Sequence, residues 1–248
     1  VQSLLELTEL SVFALSMGVA ITTLAALIHG TLGFGFGLVS VSVLVLVDAN
    51  LAPAPQLVMT FPMAVFLAWR ERSAAHWPGV RLVLLGAVPG TVLGALLLRA
   101  ADKQLLDLVI GGVVLVAVFV LARGAAVRRN RVTLVLAGLA TGVMSLVSAI
   151  GGPPLALVYR DASGATLRST VSVVFGAGIF FALAARAWAG GLVVADGWRG
   201  LAMAPGLALG LWGSRFLIAR VEGPPLRVAV LVVAAVAGLV LMGRALAG

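Results

Sequence analysis

The chain has 248 residues, 62% of them hydrophobic and 10% charged, against about 45–50% apolar and about 25% charged in an ordinary soluble domain. That balance excludes a water-soluble globule, and the absence of cysteine excludes disulfides, thiolate metal sites and a cysteine nucleophile. The formal charge of +8 arises from 17 Lys and Arg against 9 Asp and Glu. The basic residues lie between apolar runs, as membrane loop anchors do, and form no nucleic-acid-binding face or tail.

Apolar stretches such as Leu82 to Leu98 and Val228 to Met242 approach the roughly 20 residues that a helix needs to cross a hydrocarbon core. Transmembrane strands would alternate apolar and polar residues over about ten positions, whereas both faces of nearly every segment here are apolar. The predicted class is an all-α polytopic membrane protein. Val1 to Leu10 carries Glu6 and Glu9 and no basic residue, unlike the start of a signal peptide. In chain order, a glycine-interrupted segment is predicted over 11–47, then helices over 56–69, 80–98 and 105–122. A second interrupted segment comes next over 132–159, then helices over 169–190, 200–217 and 228–243.

A shift of 116 residues lays Gly35 on Gly151, Arg70 on Arg186, Pro89 on Pro205, Gly90 on Gly206, Gly94 on Gly210 and Arg99 on Arg215, with no gap from Gly33 to Arg99. Apolar matches mean little in such a chain, but Gly, Pro and Arg matches in one register mark an internal repeat. Two halves, 1–122 and 132–248, are joined by a basic cytoplasmic link over 123–131. In the third helix of each half, Gly90 with Gly94 and Gly206 with Gly210 are small residues four apart, a signal for close helix packing in lipid.

After its break the second interrupted segment keeps only Pro153 to Tyr159 before Arg160-Asp161, too short to cross at 1.5 Å per residue. The segment is therefore expected to enter, break near mid-depth and leave on the same side, which makes the two halves inverted repeats. With the N-terminus outside, Arg70, Arg72, Arg81, Arg123, Arg128, Arg129, Arg131, Arg160, Arg168, Arg215, Arg220 and Arg227 fall inside. Arg99, Lys103, Arg186, Arg199 and Arg244 fall outside. Parallel 4+4 repeats, the alternative, divide the charges more evenly and fit the positive-inside rule less well.

The two breaks carry the chemistry. His29-Gly30-Thr31-Leu32-Gly33-Phe34-Gly35-Phe36-Gly37 in the first half has as its repeat partner Ser145 to Pro154, with Ser148, Gly151, Gly152, Pro153 and Pro154, in the second. Backbone freed inside a membrane survives only against protein or a water-filled cavity. A half-helix starting after a break aims N–H groups and a positive dipole end into that cavity, which favours an anion. Broken helices at matching positions of two halves point to a transporter's binding site. The expected site is built of backbone amides over Gly35, Gly37 and Leu38 and over Gly152, Leu155 and Ala156, because Pro153 and Pro154 cannot donate. Thr31, Ser148, Gln56, Ser169 and Thr170 would supply hydroxyl or amide help. His29 is open to three roles, as substrate ligand, proton carrier or helix-end polar residue; its repeat partner is Ser145, so a symmetric role is not expected. Among the arginines, Arg186 is the candidate for anion contact because it stands alone in the apolar run Val171 to Val194. The ordinary role for it and for Arg70, Arg99 and Arg215 is a side chain snorkelling to the headgroups.

The glycine-rich break at Gly33, Gly35 and Gly37, the second break at Gly151 to Pro154, and the polar run Arg168-Ser169-Thr170 about fifteen residues later resemble the TauE/SafE sulfite-exporter or permease-like family. That resemblance implies a two-repeat membrane protein that moves sulfite, organosulfonates or related sulfur anions. The equivalent of the polar run in the first half is Ala52-Pro53-Ala54, with Gln56 the nearest polar side chain, which argues against a strictly two-fold site.

The expected function is secondary transport of a small anion across a bacterial-type inner membrane by alternating access; a passive anion channel is the alternative. The expected partners are that anion and the lipid bilayer, with protons or another coupling ion and a homo-oligomer left open, and with no nucleic acid, cofactor or metal. An intramembrane enzyme would need a nucleophile with a base, paired acids or a metal cluster at depth. Here Asp48, Glu71, Asp102, Asp161, Asp196 and Glu222 read as loop acids, and no enzyme is expected.

Overall fold

The computed structural model describes residues 8–123 and 127–217, together with positions 231–232, 235–236, 238–240, 242–243 and 246. Positions 124–126 of the basic link, and Arg220, Glu222, Arg227 and Arg244, lie outside the described residues. So does most of the stretch Val1 to Leu10. The last expected helix is described in part, and its described positions are helical.

The helices are α1 (Val12–Leu32), α2 (Phe36–Val47), α3 (Ala54–Arg70), α4 (Trp77–Ala100), α5 (Lys103–Arg123), α6 (Arg131–Ser148), α7 (Gly152–Val158), α8 (Gly164–Trp188) and α9 (Val194–Leu217). No strand occurs among the described residues. Polar caps set several of the starts. Ser11 accepts from the Ala14 N–H at 3.0 Å. Asn130 and Thr133 bond reciprocally at the start of α6, and Ser163 opens α8 by accepting from the Thr166 N–H. Each satisfies amides that a helix start leaves unpaired.

Among the described residues, five segments are long and apolar enough to cross a membrane: Val12–Leu32, Ala49–Arg70, Trp77–Ala100, Arg131–Ser148 and Gly164–Trp188. The helix before each break is long. The 21 residues of α1 and the 18 of α6 extend about 31 and 27 Å at 1.5 Å per residue, most of a hydrocarbon core of about 30 Å. The helix beyond each break is short: 12 residues in α2 and 7 in α7, neither of which spans.

The 116-residue register of the sequence is also the register of the packing. It carries α1 onto α6 and α4 onto α9. The two most extensive helix contacts, α4 with α6 and α9 with α1, exchange under it. The third pair, α3 with α8, joins two repeat-equivalent helices. With lipid offering apolar side chains an equivalent environment, such pairs gain from close backbone approach, which small residues permit. A Cβ placed on Gly86 or Gly90 would lie 2.0 or 2.2 Å from the carbonyl oxygens of Val135 or Leu139. On Gly206 or Gly210 it would lie 2.4 or 2.3 Å from those of Val19 or Thr23.

The expected Gly90–Gly94 pair is extended by one turn to Gly86; a Cβ on Gly94 would meet the Leu146 side chain and the Val143 carbonyl oxygen of α6 at 3.2 Å. Gly210→Leu is expected to separate α9 from α1 and to lower the thermal unfolding midpoint in detergent, at a cost of about 1–3 kcal/mol for forced overpacking. An unchanged midpoint would remove Gly210 from the packing contact.

Candidate functional site

Both breaks use the same device. α1 ends on Gly33, whose φ of 87° is left-handed and whose N–H bonds the His29 carbonyl; α6 ends on Ala149, φ 55°, with its N–H on the Ser145 carbonyl. Gly33 and Ala149 are related by the 116 shift. The left-handed turn suits glycine and is costly for an alanine, so a search for glycines alone passes over Ala149. Gly35, φ 105°, then opens α2.

The two breaks lie against each other. A Cβ on Gly37 would stand 2.0 Å from the Ala149 carbonyl oxygen, and one on Gly152 would stand 3.2 Å from the Phe34 Cβ. Between them is a small pocket, with a cavity volume of about 20 Å³, lined by His29, Gly35, Phe36, Gly37, Leu38, Thr60, Met63, Ala149, Ile150, Gly151, Gly152, Pro153 and Phe175.

The donors of this pocket emerge from hydrogen-bond accounting. The Phe36 N–H donates to His29 Nδ1 at 3.4 Å, so the proton of the neutral imidazole sits on Nε2. That Nε2 is buried and has no hydrogen-bond partner among the described residues. The first helical bond of α2 is Val39 N–H to Gly35 O at 2.9 Å, which leaves the Gly37 and Leu38 amides among the unpaired donors of a helix start.

The opposite ends, where carbonyls face outward, are closed by arginines. Arg70 donates to Gly30 O at 2.8 Å and Arg168 to Thr31 O at 3.0 Å, both at the C-terminal end of α1. Arg186 donates to Leu146 O, to Val147 O at 3.4 Å and to Gly191 O at 2.8 Å. Leu146 and Val147 are the repeat equivalents of Gly30 and Thr31. A cation at a helix C-terminus is stabilised by the local dipole. Glu71 ties the first set together, accepting from Arg168 Nε at 2.7 and 2.9 Å and from Arg70 Nη2 at 3.1 Å.

Of the residues singled out in the sequence, His29, Gly35, Gly37, Leu38, Gly151 and Gly152 line the pocket. The others do not. Thr31 and Ser148 return their hydroxyls to the Leu27 and Met144 carbonyls of their own helices. Thr170 accepts from the His76 N–H. Gln56 donates to Leu51 O and the Met203 sulfur, and Ser169 is buried with its hydroxyl unpaired among the described residues. Gly33 packs on Arg168, whose Cγ would be 2.6 Å from an added Cβ. Leu155 and Ala156 are fully buried and are not among the lining residues.

Two acids read from sequence as loop residues are in fact parts of ion pairs. One is Glu71; the other is Asp196, in the first turn of α9, which accepts from Arg199 at 3.0 Å. At the helix ends, the guanidiniums of Arg99 and Arg215 stack on Trp188 and Trp212, 4.4 and 5.4 Å from the ring centres, in keeping with interfacial anchors. Thr60 and Phe175 line the pocket from α3 and α8 without any local motif that marks them; only the crossing of those two helices brings them there.

The model of the sulfite exporter TauE/SafE family matches residues 18–241. The chain belongs to this family. No curated protein and no solved structure matches it. The TauE/SafE match takes in both breaks, all three arginines and the pocket, and with the five span-length helices it makes the chain an integral membrane protein of a transporter family. In this TauE/SafE chain Arg186 has carbonyl partners of its own. Arg186→Gln is therefore expected to weaken anion binding by less than tenfold, under about 1.4 kcal/mol, while lowering thermal stability by about 1–3 kcal/mol for the carbonyls it leaves unpaired. Complete loss of binding at unchanged stability would assign recognition to the arginine.

Proposed function

We propose that the chain is a secondary transporter for a small sulfur oxyanion, sulfite-like or an organosulfonate, and that the anion sits where the two breaks meet. The observation that carries this reading is the buried Nε2–H of His29, without a partner among the described residues, on a residue that lines the same pocket as Gly37 and Leu38. The Gly30, Thr31, Leu146 and Val147 carbonyls are taken up by Arg70, Arg168 and Arg186, while the Ala149 carbonyl lies against Gly37. Donors fixed in a low-dielectric site stabilise an oxyanion without an ionised side chain. The family description, sulfite exporter, supplies the substrate class.

Alternating access between two inverted repeats in a bacterial-type inner membrane accounts for the matched breaks and the exchanged helix contacts. The breaks would be the fixed midpoint about which the halves rock. With both termini outside and 123–131 inside, single cysteines introduced into this cysteine-free chain are expected to react with an impermeant thiol reagent at the termini and not in the link. The reverse labelling would contradict that topology.

Substrate is tested by thermal shift of the purified protein with sulfite, thiosulfate, sulfate and small sulfonates, and then by flux into proteoliposomes. Ligand at about 100 times Kd stabilises the folded state by about 2.7 kcal/mol. A shift with sulfite or a sulfonate, and counterflow of the same anion, are expected. No shift with any of these anions would sink the assignment, and large current without counterflow would indicate a channel.

A further inference from the structure

We propose that Arg70 and Arg168 form a second anion subsite, separate from the pocket between the breaks, and that Glu71 occupies it as a tethered competitor for a small oxyanion. The subsite adjoins the proposed transport site but stands on its own geometry.

Both guanidiniums have anchors other than Glu71. Arg70 donates to Gly30 O at 2.8 Å and to the Ser214 hydroxyl at 3.1 Å. Arg168 donates to Thr31 O at 3.0 Å, and its Cγ packs on Gly33. The pair therefore sits at the end of α1, where Gly30 adjoins His29 of the pocket and the charge of Arg70 acts on that ring. Into this pair Glu71 places one carboxylate, bonded to Arg168 Nε at 2.7 and 2.9 Å and to Arg70 Nη2 at 3.1 Å. A planar carboxylate between guanidinium forks has the charge and the acceptor geometry of a bound oxyanion.

The surroundings favour an anion there beyond what Glu71 supplies. The Nε–H of Arg70 is buried and has no partner among the described residues, and Arg215 adds repulsion on Arg70. The other break shows that the acid is not needed to hold an arginine in such a place. Arg186, the repeat equivalent of Arg70, covers the equivalent carbonyls with Ala187 where Glu71 would stand and with no carboxylate bonded to it among the described residues. Glu71 is also placed to leave. It is the residue that ends α3, with its N–H on Leu67 O at 3.1 Å, so its side chain can rotate away without unwinding the helix. The two guanidiniums, kept in place by their carbonyls, are then charges stranded in a largely buried site, which an incoming anion relieves.

The test is thermal unfolding of the purified full chain in chloride-free buffer with increasing formate, the carboxylate that Glu71→Ala removes. Formate is expected to raise the midpoint of Glu71→Ala toward that of the wild type, and to bind this variant about tenfold more tightly than the wild type, where Glu71 competes. Glu71→Gln, whose amide fills the space without charge, is expected to gain little. Adding Arg168→Gln to Glu71→Ala is expected to weaken formate about tenfold. If Glu71→Ala stays folded only with formate, recovery of folded yield by formate is the expected result in its place. No rise in midpoint or yield, an equal rise in the wild type, or a rise that survives the added Arg168→Gln would each overturn the subsite. Formate rescue with no sulfite shift in the wild type would sink the pocket between the breaks alone. A sulfite shift in the wild type with no formate rescue would sink this proposal alone.

Discussion

Gly37→Ala is expected to reduce anion flux by more than tenfold while leaving the helix content unchanged. Gly37 lies within α2, where alanine is conformationally acceptable and is the better helix former. The one obstacle is the Ala149 carbonyl oxygen, 2.0 Å from the new Cβ, so the two breaks must part by more than 1 Å. That displacement separates the His29 and α2 donors from the Gly151–Gly152 wall that closes the pocket. Binding energy held in fixed geometry is lost steeply over such distances. The stability cost of about 1–3 kcal/mol is to be read separately by thermal unfolding. Gly112→Ala, where a Cβ meets nothing within 4 Å, is the control and is expected to transport normally. Wild-type flux in Gly37→Ala would show that contact between the breaks is unnecessary.

Glu71→Gln is expected to be the most destabilising of the polar substitutions. Its carboxylate lies between Arg168 and Arg70, whose side chains are 6% and 18% exposed, and is itself 12% exposed. Removing one partner from a buried ionic group costs about 3–5 kcal/mol because it strands the remaining charge. The lower end of that range suits a cluster in which Arg168 and Arg70 keep their carbonyl partners. The expected result is a large fall in the unfolding midpoint in detergent, with Glu71→Asp recovering part of it. An unchanged midpoint would show that Glu71 is a loop acid after all.

The sequence displayed the breaks because glycine at every second residue and a Gly-Gly-Pro-Pro run stop a helix, whereas the single prolines of α3, α4 and α9 lie inside helices. It also displayed the 116-residue register that the helix contacts follow, since Gly, Pro and Arg are conspicuous in an apolar background. The same register relates Gly30 to Leu146 and Thr31 to Val147, the carbonyls that the arginines cover. What the sequence concealed were matters of direction. Thr31, Ser148 and Thr170 are polar and close to the breaks along the chain, but two of them bond within their own helices and the third accepts from the His76 backbone. A hydroxyl four residues from a carbonyl on a helix has that local partner available wherever it stands. Glu71 and Arg168 looked like loop charges because each lies beside a turn, and their pairing across 97 residues is a product of the fold. Phe175 and Thr60 carry no sequence mark because they reach the pocket only through the crossing of α8 over α3.

The most direct measurement is the position of a bound selenite ion, a heavier analogue of sulfite, located by its anomalous scattering in crystals of the full chain. The expected peak lies between Gly37 and Gly152, within hydrogen-bonding reach of His29 Nε2 and the Gly37 and Leu38 amides. It should be lost in Gly37→Ala crystals. A peak at the Arg70–Glu71–Arg168 cluster or beside Arg186, with the pocket between the breaks empty, would show that arginine side chains and not the broken-helix backbone hold the anion.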